Sequence, residues 1–238
     1  PDSDFIGPDG QHSLTLNESF SKATNAGTDR ILTFQQSTGG AEPTAVYREV
    51  VDALPEGKAN GWTLASATQD LTGDQLPELY VANDMGPDRL FVNKSTPGHI
   101  SFGLAEGERG PTDPKSFVLG HDSFKGMGAD FADLDGDGVP DLFVSNIAQR
   151  WGIVEANLAF YNTAADPKQA AVQLESGIAP FKNRAVEKGI AWDGWCWDTK
   201  VADFDNSGRP QIVQTNGMFK GSSTRWPQVQ EMATMNDD

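Results

Sequence analysis

The chain has 238 residues, with 34 acidic and 18 basic side chains and a formal charge of −16. That balance argues against a nucleic-acid partner, because phosphate binding needs clustered Lys and Arg. No run of about 18 apolar residues is present to span a membrane, one Cys cannot form an internal disulfide, and 37% hydrophobic content with thirteen Phe and six Trp suffices for a core.

Residues 44–54 alternate loosely and predict a strand. From there the chain repeats itself. Residues 70–83, 133–146 and 203–216 align without gaps. Asp70, Asp133 and Asp203 lead the three copies, Pro77, Pro140 and Pro210 follow seven residues on, and Asn83, Asn146 and Asn216 close them. In each copy a small-residue run, such as residues 126–132, precedes an acidic turn and a short β-prone run, as at residues 79–81 and 142–144. This predicts strand, tight loop, strand. Residues 89–92 and 157–161 predict further strands. Residues 166–175 predict a helix, with Asp166 as cap and Pro167 at its first position.

A unit of 60–70 residues with about four strands has the size of a propeller blade. The expected fold is all-β: one propeller portion over residues 1–238, with approximate repeats at 44–93, 117–163 and 190–221. The length supplies three to four blades, where closed propellers have about four to eight. The expectation is therefore part of a larger propeller, with the remaining blades on another chain segment. Pro1 is not an initiator Met, which fits a processed chain or a piece of a longer one.

The acidic turns predict metal sites. In the second, Asp133, Asp135, Asp137 and Asp141 would give carboxylates and Val139 its carbonyl. Oxygen donors at this density suit Ca²⁺, which takes six to eight of them. Without a cation, the carboxylates would repel one another. An EF-hand is excluded, because its twelfth position, a Glu there, is Val144 here. The first turn offers Asp70, Thr72, Asp74, the Leu76 carbonyl and Glu78, and predicts a weaker calcium site. The third offers Asp203, Asp205, Ser207 and the Arg209 carbonyl, with Gln211 where the others carry an acid. Calcium and a turn held by side-chain hydrogen bonds both fit it. Two to three Ca²⁺ ions are expected. Zinc lacks its His and Cys ligands, and magnesium prefers sites that keep its waters.

These turns resemble the FG-GAP or VCBS repeat of integrin α-subunit propellers and many bacterial secreted proteins. That resemblance implies a propeller with calcium loops between blade strands. Longer strings, at residues 83–93, 124–133, 194–198, 215–221 and 225–227, are similar to the cartilage-acidic-protein-like group with an ASPIC/UnbV domain, nearest to the bacterial UnbV type of enediyne gene clusters. The group implies calcium and a propeller but no defined reaction, and its members continue past the equivalent of Asp238. Ser207 and Gln211 depart from its usual acids.

No catalytic constellation emerges, and whether the chain is an enzyme stays open. His12, His99 and His121 are scattered. In His121-Asp122-Ser123 the three triad types are adjacent, whereas a triad draws its members from separate elements. Cys196 reads as a small core residue. Trp192, Trp195 and Trp197 admit two readings, blade-to-blade packing or a stacking platform for a sugar or polycyclic ligand. The expected function is a calcium-stabilised binding or scaffold module for a protein or small-molecule partner. The alternatives are an enzyme or ligand-handling protein of a natural-product pathway, and a carbohydrate-binding lectin. The expected compartment is extracellular or periplasmic, with the cytoplasm left open.

Overall fold

The computed structural model describes residues 18–121, 125–148 and 155–217. Thirteen strands and one α-helix occupy them, so the chain is mostly β with little helix. Strands β1 (Leu32–Thr38) and β2 (Thr44–Glu49) form an antiparallel hairpin. Strands β3 (Thr63–Gln69), β4 (Glu78–Asn83), β5 (Arg89–Asn93) and β6 (Phe102–Gly107) form an antiparallel meander. Strands β7 (Gly128–Ala132), β8 (Asp141–Ser145) and β9 (Leu158–Asn162) repeat it. Helix α1 (Pro167–Glu175) follows, then β10 (Ile178–Ala179) and β11 (Phe181–Asn183). Finally β12 (Cys196–Ala202) pairs with β13 (Gln211–Asn216).

The sheet orders are β10-β6-β5-β4-β3 and β11-β9-β8-β7, flanked by the two hairpins. Two sheets are thus blade-like, and the described strands do not close a ring. β11 completes the second blade, while β10 runs parallel to β6 of the first and ties the two together. The helix between them forms where the sequence places it, with Asp166 Oδ1 accepting the Gln169 N–H at 2.8 Å. It buries Ala170 and Leu174.

Strand periodicity explains the core. Along β4, Tyr80 and Ala82 face one cluster and Val81 the other; along β8, Leu142 and Val144 face one and Phe143 the other. The first cluster, with Tyr80, Leu90, Leu142 and Phe160, cements blade to blade. The second sets Phe143 and Tyr161 against Val201 and Ile212 of the last hairpin. A strand buried on both faces must be apolar throughout, which is why residues 79–82 and 142–144 read as unbroken apolar runs. Each such large side chain contributes about 1.5–3 kcal/mol by its burial.

The leading strands of successive blades pack side by side, β3 against β7 and β7 against β12. Glycine permits the second approach: a Cβ at Gly128 would come within 2.6 Å of the Asp198 Cα of β12, and just before β7 one at Gly126 would come within 2.8 Å of the Ala82 Cβ of β4. Asp130 Oδ2 then accepts the Val201 N–H at 2.8 Å, joining β7 to β12.

Candidate metal centres in the acidic turns

The three acidic turns occupy one structural place, the connections β3–β4, β7–β8 and β12–β13. Their backbones are organised by the first and ninth residues. In the second turn Asp133 Oδ1 accepts N–H groups from Gly136 (2.7 Å) and Asp137 (3.1 Å), and Oδ2 accepts that of Gly138 (2.9 Å). Gly136 and Gly138 sit at φ of 80° and 88°, a region costly for other residues. Asp141, at the ninth position, accepts the Leu134 N–H through Oδ2 (2.9 Å) and the Asn162 N–H of β9 through Oδ1 (2.8 Å). The loop is therefore clasped from both ends and anchored to the blade.

This scaffold gathers charge. Asp133, Asp135 and Asp141 each present a carboxylate oxygen within 4.8 Å of the others, the one such group among the described residues. Asp137 turns Oδ1 to the Val139 N–H at 2.8 Å. Burial pushes the Asp141 carboxyl up to about 6 against the pull of its two N–H donors, with the charges of Asp135 and Asp137 adding to the rise. The donor set is all oxygen, mostly anionic and preorganised by backbone N–H groups. It suits a hard cation.

The first turn repeats the scaffold. Asp70 accepts from the N–H groups of Thr72, Gly73 and Gln75 at 3.2, 2.7 and 2.9 Å. Buried Glu78 accepts from Leu71 at 2.8 Å and from Asn93 of β5 at 3.4 Å. Burial raises its carboxyl to about 7, with smaller upward pushes from Asp74 and Asp70. Thr72 Oγ1 lies 3.5 Å from Asp70 Oδ1.

The third turn keeps the frame and changes the centre. Asp203 accepts from Ser207 (2.9 Å) and Gly208 (2.7 Å), and Gln211 Oε1 accepts the Phe204 N–H at 2.6 Å. The other end of that amide, Gln211 Nε2, donates to Asp205 Oδ1 (3.1 Å) and to the Arg209 carbonyl (2.6 Å). These two oxygens are ones that the sequence offers to a cation. Of the two readings that the sequence leaves for this turn, these bonds match the one held by side chains, with Gln211 as the side chain that does it. An amide offers both an acceptor and donors, so one side chain can close the loop and satisfy its oxygens.

The tryptophans separate. Trp195 is buried with Met127 and Ile147, whereas Trp192 and Trp197 are 56% and 44% exposed. The rings of Trp195 and Trp197 lie 6.3 Å apart and tilted by 36°. A bulge between Cys196 and Asp198 interrupts the strand alternation at Trp197. Cys196 is fully buried, its Sγ 3.1 Å from Asp193 Oδ1, and burial pushes its thiol well above the usual range. Asn83 and Asn146 close their strands by donating to the carbonyls of Pro87 (2.7 Å) and Ala156 (3.0 Å). His12, Asp122 and Ser123 lie outside the described residues, as do the strings beyond Gly217.

Comparison with known proteins agrees with the repeat. The family model described as FG-GAP-like repeat matches residues 70–144, from the first acidic turn to the strand after the second. The match supports an FG-GAP repeat protein. No curated protein matches the chain.

Proposed function

We propose that the chain is a calcium-stabilised propeller portion that serves as a binding or scaffold module for a protein or small-molecule partner. The single observation that carries the calcium reading is the convergence of Asp133, Asp135 and Asp141 on one point of a loop clasped by backbone N–H groups. Asp137 and the Val139 carbonyl would complete the shell. The ion supplies positive charge that lets these acids ionise together and locks the β7–β8 connection. The first turn has the same frame and three acids, and is the weaker second site. In the third, the Gln211 amide takes the place of the ion between Asp205 and the Arg209 carbonyl. Two ions result, from the two-to-three range that the sequence allows.

Binding is the reading that a rigid stack of blades supports, with loops at either end to present to a partner. The two outer hairpins, each half a blade in strand number, favour a larger propeller. The strings around Asn83 and Trp195 favour the ASPIC/UnbV group within the repeat proteins. Calcium sites of extracellular modules are filled at the high concentrations found outside the cytosol, which favours an exported protein.

Native mass spectrometry with calcium and with chelator, alongside thermal melts, tests this reading. Two bound ions and a lower Tm in chelator are expected. A melt indifferent to chelator, or a spectrum without bound ions, would sink it.

A further inference from the structure

A cavity of about 350 Å³ stands out against the acidic character of the chain. Its lining includes Lys22, Lys58, Arg89, Lys115 and His121, with Glu106 the one carboxylate among them. Four of the 18 basic side chains of a protein of charge −16 thus meet at one opening. Random placement on an acidic surface would leave such cations beside acids. Yet among the described residues no carboxylate pairs with Lys22, Lys58 or Lys115.

The inner end of the cavity is built. Arg89 is 7% exposed, and its Nη1 donates to Glu106 Oε1 and to the Gly120 carbonyl, both at 3.1 Å. Both N–H groups of Nη1 are thereby used, while Nε and Nη2 have no protein acceptor among the described residues. A guanidinium presents its remaining donors as a planar fork suited to an oxyanion. Gly120, at φ 81°, is required here: a Cβ would come within 2.9 Å of Glu106 Cγ and displace the side chain that holds Arg89. His121 is fixed by its Nε2, which donates to the Gly107 carbonyl at 2.9 Å. Its Nδ1 is a second donor whenever the ring is protonated.

The acidic turn of the same blade does not compete with this charge. Arg89 begins β5, and Asn93 at the other end donates to Glu78 of the turn. Four residue steps along the strand separate the two ends by about 13 Å, so the carboxylates of the turn lie well outside ion-pairing distance of Arg89. At the Arg89 end Glu106 pairs with the guanidinium, and the lysines of the rim add positive charge that no carboxylate pairs among the described residues.

We propose that this cavity binds a phosphate or sulfate oxyanion, either free or carried on a small sugar. The buried Arg89 fork grips the anion, and the three exposed lysines attract it and close over it. The volume accommodates an esterified monosaccharide, at the low end of ligand pockets. The site is independent of the calcium reading, since none of its residues lies in an acidic turn.

Isothermal titration calorimetry of the calcium-loaded chain at low chloride tests the proposal, with sodium sulfate, N-acetylglucosamine 6-sulfate and unsulfated N-acetylglucosamine as probes. Saturable binding of a sulfate-bearing probe and none of the neutral sugar is expected. Tighter binding of the ester than of sulfate assigns a sugar-borne group, and equal or weaker binding assigns the free anion. Lys58→Gln and Lys115→Gln, both on exposed side chains that leave the fold intact, each weaken binding about tenfold. Absence of saturable binding by either anion, or binding unchanged in the double lysine variant, would overturn it.

Discussion

In the second acidic turn a carboxylate, Asp141, closes the loop; in the third an amide, Gln211, does so. Both accept the N–H of the second loop residue, at 2.9 Å in one case and 2.6 Å in the other. Both loops are framed by a leading Asp that takes the N–H groups of the far side. The difference lies in the centre. Asp141 adds a further carboxyl to a cluster whose mutual repulsion a bound cation would relieve. Gln211 adds two donors, which satisfy the oxygens themselves. On the proposed calcium reading, the same backbone is held by a metal in one turn and by a side chain in the other, and the residue at the ninth position decides which.

The contrast can be broken most severely at Asp133. Asp133→Ala removes the acceptor of three N–H groups together with a ligand, and is expected to cost about 3 kcal/mol. For a chain of this size that lowers Tm by roughly 6–12 °C, read by calorimetry in calcium.

Acid against amide recurs where the blades close, and there it yields a pH dependence. Asp88 Oδ1 accepts the Asn83 N–H at 2.8 Å in the first blade, and Asn157 Oδ1 accepts the Asn146 N–H at 2.8 Å in the second. Asp88 is fully buried, and burial raises its carboxyl to about 7 against the N–H of Asn83, the Tyr80 hydroxyl and the charge of Arg89. The unfolded acid titrates near about 4. Between about pH 4 and 7 the folded chain holds the extra proton, so its stability falls as pH rises through that window and levels off above it. Asp88→Asn makes the first blade like the second, and should remove that part of the fall. Urea denaturation at about pH 5 and pH 8, in saturating calcium, measures the difference between variant and parent; an identical pH slope would refute the assignment.

Asp135→Asn is gentler, because no hydrogen bond of the frame depends on Asp135. The variant should melt about 1–3 kcal/mol less stable than the parent in calcium and alongside it in chelator, as mass action requires of a lost ligand. Equal melts in both conditions would show that the second turn holds no ion. The smallest effect is the most informative about the comparison. Gln211→Glu restores an acid to the ninth position and removes the donors that satisfy Asp205 and the Arg209 carbonyl. It should add one ion to the native mass spectrum and make the third turn sensitive to chelator. An unchanged ion count would mean that more than the amide keeps calcium out.

Much of this was legible in the chain itself. Asp70, Asp133 and Asp203 with their trailing Pro and Asn announce the repeat, because a tight turn constrains residue types at fixed offsets. Strands β4, β8 and helix α1 follow from local patterns of burial and capping. The cationic cavity was invisible for the opposite reason. Lys22, Lys58, Arg89 and Lys115 come from four separate segments, and no spacing links them. The tryptophans were ambiguous because a bulge at Trp197 breaks the alternation that would otherwise decide which face each ring takes.

The sequence by itself thus determined the repeated strand–turn–strand units and the oxygen-rich chemistry of the acidic loops, since these depend on neighbours in the chain. Only the tertiary structure decided which loop oxygens converge and which are claimed by Gln211. It also decided which of three tryptophans is core, and where scattered cations meet. Those outcomes depend on how β3, β7 and β12 pack, β7 on β12 at a distance that only glycine allows, and on segments brought together across the sheet.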